Sequence, residues 1–164
     1  MKKTAFALLA GLMVLASCMK NNNNYCTNVA PSEEADDIRA FCMSNGITPQ
    51  IDDTTGIFYQ ITSPGSPDRL SNQYDTVKMA VVTKLLNGTQ LQKNDSVVAL
   101  MQNVPALLLF GLNKIGISGQ IKMVSPSAYA YGCNGAKDNS GNQVVPPNSP
   151  LYYEIRVLNI GKYK

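Results

Sequence analysis

The chain has no histidine and no tryptophan, and only 15% of its 164 residues are Asp, Glu, Lys or Arg. Without histidine there is no His general base, no Ser-His or Cys-His nucleophile pair and no His-ligated metal. Lys and Arg outnumber Asp and Glu by 14 to 11, but two of those cations are Lys2 and Lys3, and no basic run follows. Neutralising a phosphate backbone needs clustered cations, so nucleic acid is not an expected partner. Carboxylates are scarce in the β-patterned part of the chain, and no two are spaced for paired acid/base work. No Gly-rich phosphate loop follows a strand, and the four cysteines fit no zinc spacing, so neither cofactor nor metal is expected. The apolar content of 45% is ample for a packed core and too high for disorder.

The N-terminus carries a targeting pattern. Residues 1–17 hold a basic MKK, an apolar TAFALLAGLMVLA too short to span a bilayer, and small residues directly before Cys18. LASC resembles the bacterial lipobox, which implies cleavage before Cys18 and acylation of its thiol. The expected location is the bacterial cell envelope, lipid-anchored to the outer membrane and facing the periplasm. Residues 18–31, with MKNNNN, read as a tether. An exported location permits a disulfide. Cys26 and Cys42 flank a predicted helix and form the candidate pair, against the alternative of free thiols at Cys26, Cys42 and Cys133, because connectivity is not fixed by sequence.

Residues 32–46 predict an amphipathic helix. Ser32 is placed to cap it, Glu33 and Glu34 favour its N-terminal dipole, Ile38, Phe41 and Cys42 form one stripe, and Asn45-Gly46 stops it. From Gly56 onward the signals are β. Asp75–Leu86 sets Val77, Met79, Val81 and Leu85 on one face, and Asn87-Gly88 is a tight turn. Val104–Asn113, VPALLLFGLN, is apolar all round and predicts a buried helix. Ser127–Pro150 reads as a loop opening on SAYAYG, and Leu151–Ile160 as a closing strand with Leu151, Tyr153, Ile155 and Val157 inward. The expectation is an α+β fold: an antiparallel sheet of about five strands wrapped around one short buried helix over residues 56–164, with an N-terminal extension helix.

What remains is an apolar, tyrosine-walled concavity. Such a site binds apolar groups. It also suits one reaction that needs no nucleophile, rotation about an X–Pro amide, because a dry pocket disfavours the dipolar resonance form that gives the C–N bond its double-bond character.

SPSAYAYG followed by VVPPNSPLYYEIRVLNI resembles the end of FKBP-type peptidyl-prolyl cis-trans isomerases, whose pattern there is roughly I-P-x-x-x-A-Y-G and then P-P-N-S-x-L-x-F-x-V-x-L. VKMAVVTKLLNGTQL and VPALLLFGLNKIGISGQIKM are similar to that family's first hairpin and buried helix, so the likeness runs from about Gly56 to Ile160. It implies an FKBP-like fold and isomerase activity on the proline-containing segments of exported proteins. Tyr131 takes the place of the tyrosine that donates its hydroxyl to a substrate carbonyl. The implied pocket is Val81, Leu91, Gln92, Val104, Pro105, Leu108 and Tyr153. The family's first-strand tyrosine is Val81 here, and its phenylalanine and aspartate are Leu91 and Gln92. Those departures imply the alternative, a catalytically weak binding or chaperone module. Chaperone-like members use appended helices, which implies a homodimer through residues 32–46.

Overall fold

The computed structural model describes residues 26–164. The expected signal peptide over 1–17, the acylated Cys18 and the tether up to residue 25 lie outside the described residues. Among the described residues, no helix is long and apolar enough to cross a membrane.

The helix α1 spans Pro31–Ser44. It starts one residue earlier than expected. Pro31 presets its φ for the first helical position, so Ala30 is the N-cap and the Glu33 N–H donates to the Ala30 carbonyl at 2.9 Å. Ser32 makes no capping bond. At the other end the Asn45 N–H closes on Phe41 and Cys42, and Gly46 turns the chain with φ 63°.

The strands are β1 (Gln50–Ile51), β2 (Phe58–Ser63), β3 (Thr76–Leu85), β4 (Gln90–Leu100), β5 (Gln120–Ser125), β6 (Ala136–Lys137), β7 (Gln143–Val145) and β8 (Leu151–Gly161). Helix α2 spans Ala106–Leu112. Six strands form one antiparallel sheet in the order β1-β2-β5-β8-β3-β4, and β6-β7 is a separate hairpin within the stretch expected to be loop. The Asn87-Gly88 turn lets β4 pair with β3 along most of its length.

The pleat sends alternate residues to opposite faces, and the register aligns them in rows. Phe58, Val124 and Tyr152 are consecutive partners across β2, β5 and β8 on the outer face. There they meet Ile38 and Cys42 of α1 in a small closed cluster. Tyr59, Met123, Tyr153, Thr83 and Gln92 form the adjacent row on the inner face. The main core lies there, built on Val77, Met79, Val81, Ile121, Ile155 and Val157 with Leu112 of α2 above them.

Helix α2 approaches closely because residue 111 is glycine. A Cβ there would lie 2.7 Å from the Met123 Sδ and 3.2 Å from Ile155 Cδ1. The expectation that this helix is buried on every side is corrected. Only Gly111 and Leu112 are fully buried, Leu107 to Phe110 are half-buried, and Pro105 and Ala106 are exposed. A two-turn helix is too short to cover the inner face, so part of its apolar surface is left open.

The cysteine pairing is also corrected. Cys26 bonds to Cys133, with their Cα atoms 5.5 Å apart, and Cys42 is a buried free thiol. The physical reason is α1 itself. Its 14 residues make a rod roughly 20 Å long, and a disulfide tolerates at most ~7 Å between Cα atoms. Cys42, near the far end of that rod, turns into the outer-face cluster with Ile38, Phe58 and Tyr152, while residues 26–28 run to the tyrosine loop and set Cys26 beside Cys133.

At the opposite end of the sheet, Asp75 is 1% exposed and fastens the chain after β8. Its carboxylate accepts from the N–H groups of Tyr163, Ser71 and Asn72 at 3.0, 3.0 and 3.1 Å and from Lys162 Nζ at 3.1 Å. Those donors, the Tyr163 and Ser71 amides foremost, hold it well below the usual carboxylate range.

Candidate functional site

Between the inner face, the start of α2 and the β6-β7 hairpin lies a cavity of about 1150 Å³. Each residue expected at the pocket lines it: Val81, Leu91, Gln92, Val104, Pro105, Leu108, Tyr131 and Tyr153. They converge from five places. Val81 comes from β3, Leu91 and Gln92 from β4, Val104 to Leu108 from the entry to α2, Tyr131 from the turn after β5, and Tyr153 from β8.

Register explains the meeting. Tyr153 of β8 is the partner of Thr83, and Thr83 is the partner of Gln92. One row therefore runs from buried Tyr153 to exposed Gln92 along the cavity. Val81 lies in the next inner row, between Ile155 and Asn94. Pro105 fixes the entry to α2 with φ −54° and leaves the backbone extended before the helix begins, so Val104 is buried while Leu108 faces the open space.

The tyrosines differ. Tyr153 is 8% exposed, and burial, with the neighbouring Tyr131 adding to it, pushes its phenol far above the ordinary value. It stays protonated across the physiological range. Tyr131 is 50% exposed, and its hydroxyl makes no hydrogen bond to any described residue. Two short 3₁₀ turns, Ser127–Tyr129 and Gly132–Asn134, hold the tyrosine loop. Tyr129 lines the cavity beside Tyr131, 44% exposed.

Tyr129 stands in the same SAYAYG stretch that predicts the tyrosine wall; Met79, Thr83 and Val97 were not expected at the pocket, although the same alternation that pointed to Val81 also places Met79 and Thr83 inward. The loop residues CNGAKDNSGNQ were expected beside the pocket mouth, and there Lys137 and Asp138, with Val145, form a hairpin wall that a stretch of turn residues did not foretell. Asp138 does not replace the acid that the family places at position 92. Its carboxylate is filled by the side-chain amide of Asn142 and the N–H groups of Asn142 and Ser140, which hold it below the usual range. The described residues contain no group of three or more His, Cys, Asp or Glu placed to hold a metal ion. What the arrangement offers is a mostly apolar chamber with buried Thr83 and Tyr153 along one inner row, a half-open phenol at its mouth and further polar groups toward the rim.

The family model for FKBP-type peptidyl-prolyl cis-trans isomerases matches residues 68–158. A probable FKBP-type peptidyl-prolyl cis-trans isomerase from Haemophilus influenzae is 30% identical over 110 residues, 65% of this chain and 43% of that protein. The chain therefore spans less than half the length of that relative. Among solved structures, FkpA from Escherichia coli superposes with a TM-score of 0.61 at 23% identity, over 80% of this chain and 61% of FkpA. A peptidyl-prolyl cis-trans isomerase from Pseudomonas syringae pv. tomato gives 0.61 at 20% identity, over 83% of this chain and 99% of its own. At such identities the superpositions speak for the fold. The family match spans more than half of the 164 residues and contains every expected pocket position, and so this chain belongs to the FKBP-type peptidyl-prolyl cis-trans isomerase family.

Proposed function

We propose that this protein is a peptidyl-prolyl cis-trans isomerase acting on X–Pro bonds of exported proteins. The observation that carries the reading is one cavity with mostly apolar walls and, at its mouth, the Tyr131 hydroxyl, which bonds to no described residue. The barrier to amide rotation is ~18–20 kcal/mol because the C–N bond has double-bond character. The proline ring enters among Val81, Val104, Leu108 and Tyr153, where desolvation disfavours the planar, charge-separated form. The twisted amide has lost that resonance and suffers less from the same surroundings, so the chamber favours the transition state over the ground state. The Tyr131 hydroxyl donates to a carbonyl of the bound segment and holds it in register. No proton transfer or nucleophile is required.

The test is cis-to-trans isomerisation of an Xaa-Pro peptide by the wild-type protein beside Tyr131→Phe. A hydroxyl hydrogen bond is worth ~0.5–1.5 kcal/mol, so kcat/KM is expected to fall about two- to tenfold. Tyr131 is half exposed, so stability should change by less than ~0.5 kcal/mol. No catalysis by the folded wild type overturns the reading.

A second reading is favoured by Val81 and Gln92, which stand where the family carries a tyrosine and an aspartate. On that reading the same cavity holds Pro-containing segments as a binding or chaperone module with little turnover. It predicts suppression of aggregation by a refolding client without acceleration of the peptide.

The cellular setting follows the N-terminal pattern. Acylated Cys18 anchors the protein in the outer membrane, facing the periplasm, and Cys18→Ser is expected to move it from the membrane to the soluble fraction. The apolar face of α1 packs on its own sheet. A homodimer through this helix would therefore use the outward face, where Met43 is 76% exposed. Sedimentation of Met43→Glu against wild type tests it.

A further inference from the structure

The loop that carries Tyr129 and Tyr131 is held at both ends by a segment outside the matched domain. Before the tyrosines, the Ser127 N–H donates to Oε2 of Glu34 at 2.7 Å, and Glu34 is 6% exposed. After them, Cys133 is bonded to Cys26, and its N–H donates to Oδ1 of Asn28 at 2.8 Å. Asn148 ties the two strands of the clasp together. Its amide bridges the Val29 N–H and the Thr27 carbonyl at 3.3 and 3.4 Å, and its own N–H donates to the Gly132 carbonyl at 2.8 Å. Asn148 holds φ 51° to do this. The seat for Asn28 exists only because residue 132 is glycine, with φ 54°; a Cβ there would lie 2.5 Å from Asn28 Oδ1.

These fastenings bracket the tyrosines in sequence and leave their side chains alone. Neither phenol is buried and neither hydroxyl bonds to a described residue. What fixes the Tyr131 hydroxyl relative to the cavity is the path of the backbone from Ser127 to Cys133, and residues 26–34 set that path. We propose that Cys26–Glu34 is a clasp whose disulfide and Glu34 carboxylate act as positioning groups for Tyr131. The tyrosine loop is then a redox-addressable part of the site. The proposal rests on the isomerase reading for its kinetic readout, though not for its structural one.

Reduction is balanced by exchange. A dithiol attacks the exposed Cys26–Cys133 bond, its two sulfurs become a disulfide, and Cys26 and Cys133 each leave as a thiol carrying a proton. In the full-length protein, the comparison is wild type against Cys26→Ser/Cys133→Ser, Glu34→Ala and Glu34→Gln, each with and without Tyr131→Phe. The clasp predicts a fall in kcat/KM of about two- to tenfold in the serine pair and in Glu34→Ala, the range set by a misplaced hydroxyl. It also predicts that Tyr131→Phe costs less in those backgrounds than in wild type, because a hydroxyl already out of place has little left to lose. Glu34→Gln keeps an acceptor for the Ser127 N–H and should restore most of the activity. If the serine pair fails to fold, reduction of folded wild type by dithiothreitol, well below its melting temperature, supplies the same comparison.

Unchanged kcat/KM, or an undiminished Tyr131→Phe penalty in the released variants, overturns the clasp. If the oxidised wild type shows no isomerase activity, the isomerase reading fails, and amide hydrogen exchange at residues 129–133 decides the clasp. Faster exchange on release supports it, and unchanged exchange overturns it.

Discussion

The two faces of the sheet are covered by two helices of different length, with different results. On the outer face, α1 has 14 residues and lays Ile38 and Cys42 along the row Phe58, Val124, Tyr152. The ring of Phe41 meets Tyr152 at 5.6 Å, and Arg39 stands over Phe58 at 5.8 Å. That patch of the outer face is closed. On the inner face α2 has seven residues, buries Gly111 and Leu112, and stops short of β4 and the tyrosine loop. The uncovered remainder is the cavity. One sheet thus carries a small closed cluster on one face and, on the other, the main core beside an unfilled space for binding, and the difference lies in how much helix is laid on each.

The largest expected effect breaks the closed side. Ile38 has no exposed surface, and Ile38→Ala leaves a cavity worth ~2–5 kcal/mol. Chemical denaturation should show a loss in that range, while kcat/KM per folded molecule stays close to wild type. A loss of activity as large as the loss of stability would mean that the two faces are not separable.

The sheet shared by both faces is fastened at one end by Asp75. Its pKa is depressed in the fold, so its contribution is complete above the ordinary carboxylate value of about 3.9 and is lost as pH falls through the lower folded value. Asp75→Asn should lower the melting temperature by several degrees at pH 7 and show little further loss on acidification, where wild type declines. Acid should open both faces together. Cys42 is a buried free thiol of the outer-face cluster, so in a denaturant titration at neutral pH its alkylation should track the tyrosine signal in one transition.

The third effect is smaller and belongs to the open side. Leu108 is only half-buried, so Leu108→Ala forfeits about half the burial of a leucine, ~1 kcal/mol. The same substitution widens the cavity floor. Affinity for a proline-containing peptide should fall by more than stability does, the reverse of Ile38→Ala. Calorimetric titration beside a melting curve separates the two.

Much of this division was legible in the chain. The alternation of Val77, Met79, Val81 and Leu85 gave β3 and its inward face, and the period-two pattern of Leu151 to Val157 gave β8. The stripe Ile38, Phe41, Cys42 marked the face of α1 that packs. What alternation cannot supply is distance. VPALLLFGLN is apolar on every side whether its surroundings are core or empty cavity, so the half-open state of α2 was hidden. The pairing of Cys26 depended on α1 being a rigid rod and on Cys133 returning from 107 residues away, a relation set by topology. Glu34 read as a dipole-stabilising acid of the first turn. That its carboxylate reaches Ser127 follows only from where the helix lies on the sheet.

The smallest effect tests the rim. Gln92 is exposed, pairs across the strands with Thr83, and stands where the family carries aspartate. If that carboxylate were indispensable, its loss would leave this cavity inert and Gln92→Asp would raise kcat/KM by orders of magnitude. A solvated rim group contributes little, because water competes for each hydrogen bond it makes and the net value of such a bond is ~0.5–1.5 kcal/mol. The neighbouring ion pair of Lys93 with Asp95, at 3.4 Å with both side chains more than half exposed, shows how wet this edge is. Gln92→Asp is therefore expected to change kcat/KM by no more than about threefold and stability by less than ~0.5 kcal/mol. A small change leaves catalysis with the chamber and Tyr131. A large gain would move it to the rim and favour the reading of this protein as a binding module with an attenuated site.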